Sequence, residues 1–196
     1  MRVGFGSWGN VLTLVALVGL ALVSFSSDAK SDRRSRDDRD ERDHDRGGRK
    51  HLVFSVTHGE VQTLLTTLGS NGHSLGDLRV LPATPVYDET DQLVGRLDAT
   101  LTTSSVDIPA VGDEIRMSVL NFIFGVGDQQ FAGSSNQIIV SGSGFYPGDQ
   151  STIATGTSLV RPVTGGSGEF HGATGSALTD HLPDGTWIHT FDIVLP

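Results

Sequence analysis

Val163-Thr164-Gly165-Gly166-Ser167-Gly168-Glu169-Phe170-His171-Gly172-Ala173-Thr174-Gly175 is the stretch on which the reading of the fold turns. The segments on either side are rich in Val, Ile, Thr and Ser. A Gly-Gly-x-Gly run between strand-like segments reaches positive φ without steric cost, which suits a hairpin or a barrel corner. The same glycines invite a phosphate-loop reading, but that loop needs a helix after the glycines, opened by Lys-Ser/Thr or a further spaced Gly. Phe170 to Leu182 carries no helical stripe and runs into the turn Pro183-Asp184-Gly185. The nucleotide reading is set aside on that ground.

Strand signals fill the chain outward from this run. Leu52, Phe54, Val56 and His58 alternate onto one face of a first strand. Gln62–Leu68 reads as a strand end or a short helical turn. Further strands are expected near residues 92–103, 113–125, 136–144, 151–162, 169–179 and 186–195. Turns at Pro109-Ala110-Val111-Gly112, Pro147-Gly148-Asp149 and Pro183-Asp184-Gly185 separate several of them. Ten-residue segments with short connections suit antiparallel pairing, and closing such a sheet removes its edges. The segment Ile115–Phe124 is apolar on both faces, with Ile115, Met117, Val119 and Ile123 on one and Leu120, Phe122 and Phe124 on the other. A barrel strand needs one inward apolar face, so a second calls for a cover, from another subunit or a short helix.

The first fifty residues are of a different kind. Met1-Arg2, the uncharged apolar run Val11–Phe25 and the small residues up to Ala29 read as a secretory signal over residues 1–29, with a retained membrane anchor as the competing reading. Residues 30–50 continue a mixed Arg/Asp tract with almost no apolar side chain, for which a disordered linker is the expectation. Residues 51–196 then form one domain, with no cysteine anywhere in the chain to staple it. From His51 onward only Arg79, Arg96, Arg116 and Arg161 are basic, against fifteen acidic residues. That balance opposes nucleic acid and anionic membrane surfaces and favours a small, mostly apolar ligand.

No serine sits in a Gly-x-Ser-x-Gly elbow between a strand and a helix, and no His-x-His metal pattern occurs, so neither a hydrolase nor a cupin is indicated, and no metal or cofactor is implied. The polar candidates are histidines on apolar faces: His58 on strand one, and His189 on a face with Trp187, Phe191 and Ile193. His73 precedes Ser74-Leu75-Gly76-Asp77. Asp77 itself reads as a turn cap.

The glycine run, together with Ser74-Leu75-Gly76-Asp77-Leu78 and the following Tyr87-Asp88-Glu89-Thr90 and Val94-Gly95, resembles the allene oxide cyclase and dirigent families. Thr190-Phe191 in the closing strand falls in the same order. The resemblance spans roughly residues 52–195. It implies an all-β, eight-stranded antiparallel barrel of the allene oxide cyclase/dirigent type, an apolar cavity and a homotrimer. In the plant cyclases a carboxylate and asparagines of the first strands polarise the substrate; His73 stands where the family has an asparagine, and neither Val56 nor His58 supplies the glutamate. The dirigents' aspartates and arginine have no clean counterpart. The expectation is therefore a secreted or periplasmic barrel that cyclises a small apolar ligand or steers its stereochemistry. His58, His73 and Asn121 are the candidate catalytic groups, and Phe54, Val56, Tyr87, Trp187 and His189 the ligand contacts. A non-catalytic carrier and an exported display barrel are the alternatives.

Overall fold

The computed structural model describes residues 48–69, 72–131 and 135–196. The signal segment and nearly all of the charged tract lie outside the described residues. What is described is a single antiparallel sheet of nine strands: β1 Lys50–His58, β2 Leu64–Thr66, β3 Leu78–Tyr87, β4 Leu93–Val106, β5 Asp113–Phe124, β6 Asn136–Pro147, β7 Thr157–Ser167, β8 Thr174–His181 and β9 Trp187–Leu195. The order is β1-β9-β8-β7-β6-β5-β4-β3-β2, and a pairing of β1 with β3 closes the first eight into a barrel, leaving β2 as a short addition on β3. The expected eight-stranded barrel is thus present, with one strand more.

Period-two patterning does the work of folding. In β4, Gly95, Leu97, Ala99, Leu101 and Thr103 are buried, while the residues between them are partly or fully exposed. In β9, Trp187, His189, Phe191 and Ile193 take the inner face, as the alternation implies. Side-chain oxygens fix the turns: Asp88 Oδ1 accepts from the backbone N–H groups of Thr90 and Gln92 between β3 and β4, and Asp184 Oδ1 from Thr186 between β8 and β9. Asp77 caps as expected, accepting from the N–H groups of Leu68 and Ser74.

The glycine-rich run behaves differently from the expected corner. Gly165, Gly166 and Ser167 continue β7 and pair with Ile139, Ile138 and Gln137 of β6; the chain turns only afterwards, through a single 3-10 turn over Gly168–Phe170. A Cβ on Gly166 would lie 2.4 Å from the Phe170 carbonyl oxygen and 2.6 Å from that of Gln137, so the backbone approach excludes any side chain. The strand expected at 151–162 starts later, at Thr157, and runs on to Ser167, and that expected at 169–179 starts at Thr174.

The turn delivers Phe170 onto one end of the barrel, where it packs against Phe54 and Phe124 at centroid distances of 6.0 and 5.1 Å. Phe191 joins them at 5.0 Å from Phe54, and Phe122 meets Phe191 edge-on at 4.9 Å. These rings seal that end. Each buried phenylalanine contributes about 1.5–3 kcal/mol of transfer free energy, plus about 0.5–1.5 kcal/mol per well-placed ring pair.

The two-sided reading of β5 is corrected here in part. Phe122 is fully buried in the barrel core and Phe124 belongs to the aromatic plug, so neither awaits a subunit. The outward face keeps its apolar residues: Met117 and Val119 are exposed, beside Phe145 of β6, which is 61% exposed.

Candidate functional site: a polar belt around the open end

The opposite end of the barrel is lined by polar side chains, one or two from each of the eight closing strands. They follow one another around the wall in the order β1, β9, β8, β7, β6, β5, β4, β3. His58 Nε2 meets His189 Nε2 at 3.0 Å, and His189 Nδ1 meets Thr179 Oγ1 at 3.0 Å. Arg161 donates to Thr179 Oγ1 at 3.4 Å and to the Tyr146 hydroxyl at 2.5 Å. Arg116 lies over the ring of the same residue, its guanidinium carbon 4.8 Å from the Tyr146 ring centroid. Arg116 Nε donates to Glu114 Oε2 at 2.6 Å; Thr103 donates to the same oxygen at 2.9 Å and accepts from Arg79 at 3.1 Å. Every member is buried.

The belt exists because the inner register of each strand carries one or two polar interruptions. Leu159, Arg161 and Val163 share the inner face of β7; Arg79 and Leu81 share that of β3. Barrel shear then sets which interruptions meet. Thr179 is directly opposite His189, whereas Arg161 is opposite Ala177 and reaches Thr179 along the diagonal.

The partners fix the proton positions. His58 Nδ1 lies 2.7 Å from the carbonyl oxygen of Gly59, which can only accept, so Nδ1 carries the hydrogen and Nε2 is the acceptor. His189 therefore donates from Nε2, and its Nδ1 accepts from Thr179. The hydroxyl of Thr179 in turn accepts from Arg161. Both imidazoles are neutral in this arrangement. Burial pushes the His58 pKa down, with His181 adding to it against the raising effect of the Gly59 carbonyl. Burial likewise drives His189 well below its ordinary value, reinforced by His58 and Arg161.

Within the belt lies a chamber of about 40 Å³, lined on its polar side by His58, His189, Thr179, Arg161 and Tyr146 and elsewhere by leucines, Val61, Ile153 and Trp187. That volume is room for roughly three waters, at about 10–15 Å³ each. Above it lies a vestibule of about 410 Å³ with a polar rim that includes Glu60, Thr63, Thr155 and Asp184. Trp187, Val61 and Thr152 border both spaces. The Trp187 ring is stacked between His181, at 4.0 Å, and His58, at 5.7 Å.

The loop 148–156 that supplies Thr152 and Ile153 is tied to the belt. Arg116 donates to the carbonyl oxygens of Ser151 and Pro147, both at 3.1 Å, and His181 Nδ1 donates to that of Ile153. Glu114 is what holds Arg116. Its carboxyl stays below the ordinary value although burial opposes the charge, because Arg116, Thr103 and His73 all hydrogen-bond to it.

Of the residues read as site candidates, His58, His189 and Trp187 come together at the chamber. Val56 is core beneath it. His73 is elsewhere: it sits on the rim, bonded to Glu114 Oε1 at 2.8 Å and Asp107 Oδ1 at 3.3 Å, so it does not share a cavity wall with His58. Asn121 occupies the outward register of β5, between Asp98 and Ile139 of the neighbouring strands, and does not face the chamber. Tyr87 pairs with Thr57 on the outer register, and Phe54 is part of the plug at the far end. Sequence reading passed over Arg161, Tyr146, Thr179, Arg116 and Glu114. The signal was present, as single charges at the inward period of apolar strands, but it marks a site only once the strands are placed side by side.

No family model matches the chain, and no curated protein sequence resembles it. Solved structures do. The chain is similar to pyocyanin demethylase (TM-score 0.53, 13% identity, covering 72% of this chain and 99% of that one). It is similar also to AbnU, an exo-specific intermolecular Diels-Alderase (TM-score 0.52, 12% identity, 76% of this chain and 100% of that one). The pterocarpan synthase dirigent protein GePTS1 matches at a TM-score of 0.47 and 17% identity, over 75% and 86% of the two chains. At such identities the likeness is one of fold.

Proposed function

We propose that this barrel takes a small, mostly apolar molecule into the vestibule with one end in the chamber and holds it in one conformation, so that it cyclises or reacts with a single stereochemistry, in the manner of an allene oxide cyclase-like or dirigent-like protein. The observation that carries this reading is the placement of a hydrogen-bonded polar belt against an apolar wall at the open end of an otherwise sealed barrel. Restricting a reactive molecule to one near-attack conformer and excluding water are both within reach of such a chamber. Barrels of this fold that act as a Diels-Alderase and as a dirigent protein are in keeping with it.

The four ring nitrogens of His58 and His189 are all committed to each other, to Gly59 and to Thr179, which argues against acid–base work by imidazole. Charge stabilisation falls instead to the Tyr146 hydroxyl and the Arg161 guanidinium. The same commitment favours the non-catalytic carrier as the second reading. The segment 1–29 supports export, and the exposed apolar face of β5 and β6 supports a homotrimer; both belong to the proposal.

Purified protein is extracted for bound small molecules, identified by mass spectrometry, and titrated calorimetrically with neutral aromatic and aliphatic ligands. Ala99 of β4 also lines the chamber, and binding that Ala99→Trp abolishes by filling that space is the expected outcome. No bound molecule, and no binding of any apolar ligand, would leave the display-barrel alternative in its place. Turnover of a bound polyene or quinone methide separates the catalyst from the carrier.

A further inference from the structure

The belt's charges do not balance. Arg79 and Arg116 share the carboxylate of Glu114, at 3.3 and 2.6 Å. Arg161 has no such partner: among the described residues no carboxylate lies within 4.0 Å of its guanidinium. Its hydrogen bonds run only to the neutral hydroxyls of Thr179 and Tyr146, and its Nε is buried with no acceptor. Leaving a guanidinium in an apolar interior without a counter-ion is strongly unfavourable, and chains avoid it unless something else supplies the charge. Here the guanidinium borders the chamber itself.

From this we propose that the molecule taken into the chamber carries an anionic oxygen, as a carboxylate, phenolate or enolate, and that Arg161 binds it with the Tyr146 hydroxyl as second donor. The inference rests on the ligand-binding reading above and narrows its ligand class. Tyr146 is suited to the part: its oxygen accepts from Arg161, which leaves its own proton to donate. His58 and His189, both neutral, bring no competing charge, while Thr179 fixes the guanidinium plane. The apolar wall of Leu81, Leu97, Leu101, Leu120 and Ile153 meets the carbons next to the anionic oxygen, and the vestibule receives the remainder of the molecule. The strongly acidic surface of the domain repels free anions at long range. Added salt screens that repulsion more than the buried contact, so anion affinity is expected to hold or rise between low and physiological ionic strength.

The full chain is titrated at pH 7.5 with acetate, hexanoate and benzoate and with the isosteric amides acetamide, hexanamide and benzamide. At least one acid binds about tenfold or more tightly than its amide, the advantage expected of a charge-assisted contact. Arg161→Met removes that preference and raises the thermal midpoint of the ligand-free protein by a few degrees, since an uncompensated charge leaves the interior. A guanidinium with only a structural role would lower the midpoint when replaced, and that result overturns the proposal. Tyr146→Phe keeps the ring over Arg116 and weakens the acid severalfold without affecting the amide; it serves as the test should Arg161→Met fail to fold. Acids and amides that bind the parent equally overturn this inference and leave the ligand-binding reading standing. If the neutral ligands of the preceding section also fail to bind, both fall.

Discussion

His58 and His189 share one hydrogen bond between their Nε2 atoms, 3.0 Å apart in the barrel interior, and it survives only while at least one of the two rings is neutral. Protonating His58 turns its acceptor into a donor that faces the donor of His189. Both groups have a lowered pKa in the folded protein, from burial first. A histidine depressed in the fold contributes nothing at high pH, where folded and unfolded forms are both neutral. It erodes stability as pH falls below about 6.5, where the unfolded chain takes up the proton and the fold does not. Thermal unfolding followed from pH 7.5 to 5 is therefore expected to show falling stability. His189→Gln, which hydrogen-bonds without titrating, is expected to flatten the curve relative to the parent. An unchanged slope in that variant would place the titration elsewhere.

Glu114 is the carboxylate on which two buried guanidiniums depend, and it also orients the arginine that ties down loop 148–156. Glu114→Gln leaves Arg79 and Arg116 uncompensated and is expected to cost about 3–5 kcal/mol by denaturant unfolding. Loss below 1 kcal/mol would mean that the belt relaxes around water. Because the Glu114 carboxyl is depressed, the parent's benefit is present above the unfolded value, near pH 4.3, and is lost as pH falls through the folded one.

His73 works in the opposite direction. Its hydrogen bonds to Glu114 and Asp107 raise its pKa, so its contribution is complete below about pH 6.5 and disappears as pH rises through the elevated folded value. His73→Ala is expected to lower the thermal midpoint at pH 6 and to converge with the parent at pH 9. A deficit of equal size at both pH values would show that the ring matters by packing alone. The same variant is expected to leave binding in the chamber unchanged, since His73 lies outside it.

Phe122 and Phe145 lie on adjacent strands but differ completely in exposure, and charge at each has a different consequence. Phe122→Glu puts a carboxylate among Phe191, His189 and the core aliphatics and is expected to unfold the domain. Phe145→Glu, or Met117→Glu beside it, alters only the outward face. By light scattering the parent is expected near three subunits and these two variants near one, with unchanged circular dichroism. A parent that is monomeric at micromolar concentration would leave that face an uncovered patch.

Much of the barrel was legible in the chain. Val56 and His58 in β1, and the run from Trp187 to Ile193 in β9, face inward because side chains alternate at a fixed period of two, a local property that sequence states directly. Other elements were hidden by local chemistry. β3 carries Pro82 and Pro85, residues that usually argue against a strand; they are accommodated by a register shift between Leu81 and Thr84 in its pairing with β4. The glycines at 165 and 166 signal a turn by propensity and yet lie in a strand, and at Gly166 the missing Cβ permits the close approach of the Gln137 carbonyl from the neighbouring strand and the Phe170 carbonyl from across the following turn.

By itself, then, the sequence determined the barrel class and the alternation that turns His58 of β1 and His189 of β9 inward, and it carries Arg79, Glu114, Arg116, Arg161 and Thr179 as polar positions at the same period of their strands. Only the tertiary structure decided that they form one belt, that Glu114 serves two arginines, and that Arg161 is left with none. The physical reason is shear. Period two fixes which side of a strand a residue occupies but not its height relative to the next strand, and that height depends on bulges and turn lengths all around the barrel. A shift of two residues in β7 would keep Arg161 inside the barrel but set it opposite Gly175 or Thr179 in place of Ala177, and so change its partners.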